Sequence, residues 1–160
     1  MNALQMTLLV LGCGTATDPM LLQTQSYVED VTVLLQQSEN IERKFVTMAG
    51  KISQETLTPQ EAHEALTADL LPASEQLLGA TNQLTTESSE LKVLHAELED
   101  AWRARDKAWR DMLSAWQSGD VAQLTRAMED RDSARNAEER FIYDVNAVLR
   151  PYGHQLRLYP

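Results

Sequence analysis

The sequence predicts an all-α protein, and three observations carry that prediction. Leucine recurs every seventh residue at Leu70, Leu77, Leu84, Leu91 and Leu98, with Met112 in the same phase. At the second core position, three residues further on, come Ala73, Ala80, Leu94, Ala101, Ala108 and Ala115, so both core positions of a heptad are filled by apolar residues except at Arg105 and Glu87. Outside this stretch the apolar residues keep three- and four-residue spacing, and most of the six Gly and five Pro fall near the ends of the periodic segments. The heptad predicts a central helix over about 73–117, roughly 65–70 Å long at the α-helical rise per residue. Elongated antiparallel hairpins, a coiled coil around that helix, are the expected architecture. The alternative is a compact up-down four-helix bundle, reached if the central helix breaks at Thr85–Ser89.

Taken in order, the chain opens on an apolar run from Ala3 to Leu11 that ends in Val10-Leu11-Gly12-Cys13. An aliphatic residue three before a cysteine, with a small residue just before it, resembles the lipobox of bacterial lipoprotein signal peptides. The resemblance covers residues 1–13 and implies cleavage before Cys13 and a diacylglycerol on its sulfur. Gly14 follows the cysteine, where an aspartate is associated with inner-membrane retention, so the resemblance points to the outer membrane. The run is too short to cross a bilayer as a helix, which takes ~20 apolar residues. A frayed apolar terminus with an incidental thiol is the other reading. Residues 13–25 read as a polar tether with Asp18-Pro19 as a breaker.

The helical domain is expected over 26–150. Its first helix spans about Ser26 to Ile52 on a stripe of Val31, Leu34, Ser38, Ile41, Phe45, Met48 and Ile52. Thr58, Pro59 and Glu61 then form a capping box with proline at the first helical position. Leu57-Thr58-Pro59-Gln60-Glu61 also resembles one copy of the LTxxQ motif of Spy- and CpxP-like periplasmic chaperones. Pro72 predicts a kink or short break at Leu70–Leu71. Ser118-Gly119-Asp120 predicts a stop and restart, with Asp120 and Gln123 as a capping pair. The last helix runs from Val121 to about Leu149, with an almost wholly polar middle from Glu129 to Arg140. Pro151-Tyr152-Gly153 ends it and begins the tail, residues 151–160.

Folding the last helix back about Gly119 places Arg105 beside Asp132 and Glu87 beside Arg150. These two ion pairs are expected to fix the hairpin register. Trp102, Trp109 and Trp116 stand seven apart beside the leucine–alanine seam. With Tyr152 and Tyr159 they are the candidate partner surface, since aromatic residues concentrate binding energy at interfaces. Alternatively the three indoles cover the poorly filled middle of the last helix, over Ala134, Ala137 and the stems of Arg131 and Arg135.

The formal net charge of −10 argues against nucleic acid as a partner, because phosphate binding takes clustered Lys and Arg. A single cysteine leaves no internal disulfide and no Cys-based zinc site. Gln60 and Lys92 stand three before His63 and His95, so the Glu-x-x-His spacing of di-iron bundles is missing. No nucleophile signature or Gly-rich loop accompanies them. No catalytic residue, cofactor or metal is therefore expected, and the chain does not read as an enzyme. The expected function is that of a lipid-anchored, periplasm-facing interaction protein of the outer membrane: an adaptor, scaffold or assembly factor that self-associates through the long helix. The alternative is a Spy/CpxP-like stress chaperone or metal sensor.

Overall fold

Local chemistry sets where each helix starts and stops. The computed structural model describes residues 19–157; the lipobox, Cys13 and Tyr159 lie outside them. Among the described residues all regular structure is helical. Helix α1 spans Pro19–Ser53, so residues 19–25 extend it by two turns instead of belonging to the tether. Thr24 and Tyr27 give the physical reason. Both are buried, and the Thr24 hydroxyl is satisfied by the Met20 and Leu21 carbonyls at 2.9 and 3.0 Å. Gly50 lies inside α1. The chain leaves the helix at Glu55, a non-glycine residue at φ 57°, where the Thr56 N–H donates back to the Lys51 carbonyl at 2.9 Å.

Helix α2 (Pro59–Ala65) opens on the expected capping box. The Thr58 side chain accepts from the Glu61 N–H at 3.2 Å, and the Glu61 carboxylate accepts from the Thr58 N–H at 2.8 Å. A π turn, Leu66–Leu70, joins α2 to α3 (Leu71–Thr81). Pro72 has no N–H to give the ladder, and its ring crowds the preceding turn. The backbone answers by widening: the Leu71 N–H reaches the Leu66 carbonyl five residues back. The proline is thus absorbed as a π turn, and the segment does not start afresh at Pro72.

The continuous central helix over 73–117 is not formed. Helix α3 stops at Thr81 and α4 (Ser89–Ser118) starts afresh, with the Ser88 hydroxyl accepting from the Leu91 N–H at 3.3 Å. The linker is residues 82–88, which is one heptad long. Leu77 and Leu91 therefore keep phase across a break, and Leu84 sits in the linker, only partly buried. Burial decides the outcome: folding α3 back on α4 closes a core that a single rod would leave wet. Helix α5 (Val121–Leu149) follows the Gly119 turn, at φ 70°, with the Asp120 carboxylate accepting from the Gln123 N–H at 2.9 Å.

The result is an up-down four-helix bundle with the α2–α3 segment as its second rod. Around the bundle the order is α1, α2–α3, α4, α5, and α5 meets α1 again through side chains. Helices α4 and α5 are the most closely packed pair. Helices α1 and α4 face each other diagonally and run in the same direction, as three successive pairs show. Tyr27 meets His95 edge-on at 6.0 Å, Arg105 reaches Ser38, and Phe45 lies 6.1 Å from Trp109. After α5, a 3-10 turn at Arg150–Tyr152 and Gly153 at φ 78° return the tail to the bundle. The Asn146 amide clasps it there, donating to the Leu156 carbonyl at 2.9 Å and accepting from the Leu156 N–H at 2.7 Å.

Candidate functional site

The most unusual chemistry lies at mid-height in the bundle, where apolar layers above and below enclose a layer of charge. Arg105 stands at the leucine position of the α4 heptad, so its helix aims it at the core. It is 1% exposed, as is Glu138 of α5, and the two meet at 2.9 Å. Ser38 of α1 completes a triangle: its hydroxyl accepts from the second Arg105 nitrogen at 2.8 Å and donates to the other Glu138 oxygen at 2.8 Å. Every polar atom of the Glu138 carboxylate is thereby engaged. Burial pushes the Arg105 pKa down and the Glu138 carboxylate pulls it back; a guanidinium stays protonated at neutral pH regardless.

A second tier surrounds this triangle at the α1–α5 seam. Arg135 meets Glu39 at 3.0 Å, and Arg131 pairs with Glu42. The guanidiniums also lie over aromatic faces, Arg105 at 5.2 Å from the Trp109 centroid and Arg131 at 4.8 Å from Phe45. Three helices thus contribute to one polar layer, and the two aromatic rings close it on one side.

The expected register pairs are not the ones formed. Arg105 pairs with Glu138, six positions beyond Asp132, while Asp132 is solvent-facing and bonded to its neighbour Arg131 at 2.5 Å. The cause is side-chain direction. On both helices the Cα–Cβ bond leans toward the N-terminus. Arg105 therefore leans away from the Gly119 turn and Glu138 leans toward it, so the partner on α5 lies further along than a plain fold-back gives. Glu87 lies in the 82–88 linker, 3.9 Å from Lys92, and Arg150 is exposed in the 3-10 turn.

The aromatic candidates separate in the same way. Trp102 and Trp109 are buried, 1% and 0% exposed, so they are core residues and present no surface to a partner. Trp109 faces α1, not the polar middle of α5, as its contact with Phe45 shows. Trp116 is partly buried against the core and Tyr152 is half-buried. The leucine–alanine seam offered for self-association is covered within the chain: Leu91, Leu98, Ala101, Ala108, Met112 and Ala115 are all buried. Ser38, Glu138, Arg131, Arg135 and Asn146 were not singled out as site residues. Glu138 had a readable signal, since it falls on the α5 stripe of Ala127, Ala134, Phe141, Val145 and Leu149.

Two open grooves follow helix pairs on opposite faces of the bundle. One, of about 700 Å³, runs between α4 and α5 over a floor of Ala101, Ala108, Ala134 and Phe141. Its rims carry Glu97, Asp100, Asp130 and Asp144. The other, of about 630 Å³, runs between α1 and α2, with Met48, Leu57 and Ala65 below and Arg43, Lys44 and Lys51 along the wall. Among the described residues no three His, Cys, Asp or Glu side chains converge as a metal site, and no helix is long and apolar enough to cross a membrane. Comparison of the chain with known protein families, with curated proteins and with solved structures finds no match.

Proposed function

We propose that the chain is a lipid-anchored helical interaction module of the bacterial envelope, tethered through Cys13 to the periplasm-facing leaflet of the outer membrane. It acts there as an adaptor, scaffold or assembly factor. The observation that supports this reading is the position of Val10-Leu11-Gly12-Cys13 immediately ahead of the bundle. Five residues separate Cys13 from Pro19, the first residue of α1. Even fully extended, a segment of that length spans at most about 20 Å. An acyl chain on Cys13 therefore keeps the N-terminal end of α1 close to the bilayer, along with the 82–88 linker and the C-terminal turn. The Gly119 turn and the loop at residues 54–58 face away, roughly 45 Å further out for helices of this length. A bundle held upright in this way offers its long grooves to neighbours on the same membrane.

Metabolic labelling with a fatty-acid analogue tests the anchor. Label is expected on the wild-type chain and absent from Cys13→Ala. Equal label on both, or none on either, contradicts the reading.

A further inference from the structure

We propose that the chain binds a second copy of itself head to tail, the basic α1–α2 face of one protomer seating against the acidic α4–α5 groove of the next. The inference deepens the interaction-module reading by naming a partner, and it rests on how the bundle distributes its charges. Among the described residues eight basic side chains are held in internal salt bridges, including Arg103, Arg105, Arg110, Arg131 and Arg135. Arg43 and Lys51 are not: both are exposed and bridged to no described residue, and they stand two helical turns apart on the wall of the same groove. Lys44 between them is held by Asp69 at 2.6 Å. This is a local excess of positive charge in a chain of net charge −10.

The opposite face has the complementary chemistry. Glu97, Asp100, Asp130 and Asp144 are exposed, and none bridges to a described residue. Of the two cations at that groove, Lys107 is already engaged by Asp111 at 2.5 Å, which leaves Arg140 against four carboxylates. The buried alanines of the floor bring no bulk to the surface, so a helix ridge can approach closely and place its cations between the acidic rims. Arg43, Thr47 and Lys51, at helical spacing on α1, form such a ridge. Both grooves have partly apolar floors and nearly equal size, and they lie on opposite faces. A contact between them is heterologous, so repetition gives an open row of copies instead of a closed pair.

Sedimentation velocity of the full chain carrying Cys13→Ala provides the test, with two charge-reversal variants. One carries Glu97→Lys and Asp100→Lys, the other Arg43→Glu and Lys51→Glu. The unreversed chain should show a mass that rises with concentration past that of a dimer. Each reversed variant alone should remain a monomer, because its two faces now carry like charge. An equimolar mixture of the two should associate again, since each then offers a face complementary to the other. Three results overturn the proposal: an unreversed chain that stays monomeric at every concentration, association indifferent to either reversal, or a mixture that fails to recover it. Because Cys13 acylation plays no part in this measurement, a monomer here removes the self-partner and leaves the lipid anchor to its own labelling test.

Discussion

The two seams that α5 makes, one with α4 and one with α1, are built on opposite principles. At the α4–α5 seam, Ala101, Ala108 and Ala134 are buried, and small side chains let the helices approach more closely than any other pair. At the α1 seam, Arg131 and Arg135 of α5 reach Glu42 and Glu39, while Arg105 and Trp109 of α4 cross the bundle to Ser38 and Phe45. Large side chains keep these helices apart, and the charge layer fills the space. The difference separates cohesion from register. As far as the alanines go, a slide by one heptad along their seam costs little, because it again places small residues against small residues. It also parts Arg105 from Glu138, however, and a slide of α1 takes Ser38, Glu39 and Glu42 out of the same layer; in the core an unpaired charge costs several kcal/mol. Register information is therefore concentrated in one layer.

The largest expected effect comes from breaking that layer. Glu138→Leu strands the Arg105 guanidinium, whose side chain is 2% exposed, and should lower stability by about 3–5 kcal/mol in urea unfolding. An effect below 1 kcal/mol would place the layer in water. At the alanine seam the sensitive change is the reverse one, an increase in volume. Ala108→Leu or Ala134→Leu should cost about 1–3 kcal/mol by forcing the helices apart. Ala104→Leu, exposed on the same helix, should cost almost nothing. If all three behave alike, close approach is not what the alanines provide.

Smaller effects belong to the ends of the rods, away from both seams. Glu55→Gly relieves a left-handed residue with a side chain and should stabilise the fold by about 0.5–1 kcal/mol. The capping box at α2 gives a pH signature. Hydrogen bonds from Thr58 lower the Glu61 pKa from its ordinary 4.5. A carboxylate with a lowered folded value contributes fully above that ordinary value, and the contribution is lost as pH falls through the lowered one. Glu61→Gln should therefore flatten the acid limb of the stability profile below pH 4.5 and change it little near neutrality. An unchanged acid limb would mean that the box does not persist in solution.

What was legible in the sequence was local. The Thr58–Glu61 box, the Gly119 stop with its Asp120 cap, and the extent of α5 are written in residues within one turn of each other. The break at 82–88 was read only as the alternative, at Thr85–Ser89, because a linker of one heptad preserves the leucine phase on both sides. Its composition carried the better signal: Thr85, Thr86, Ser88 and Ser89 favour caps and turns over helix interiors. The expectation that a carboxylate on α5 meets Arg105 was right in kind. The particular carboxylate was missed because a fold-back on paper ignores the lean of side chains toward each helix N-terminus. Trp102 and Trp109 were misplaced for a related reason. The helical period gives their angle around α4, but only the packing of the other helices shows that this angle is inside.

The claim that one buried layer fixes the register of the bundle is tested most directly by a double-mutant cycle on Arg105 of α4 and Glu138 of α5. Arg105→Leu and Glu138→Leu are made singly and together, and stability is read from urea unfolding. Each single change should cost about 3–5 kcal/mol, and the double should recover most of it, because two apolar side chains leave no charge stranded in the core. Single effects that simply add would contradict the account, for they would mean that the two side chains do not meet.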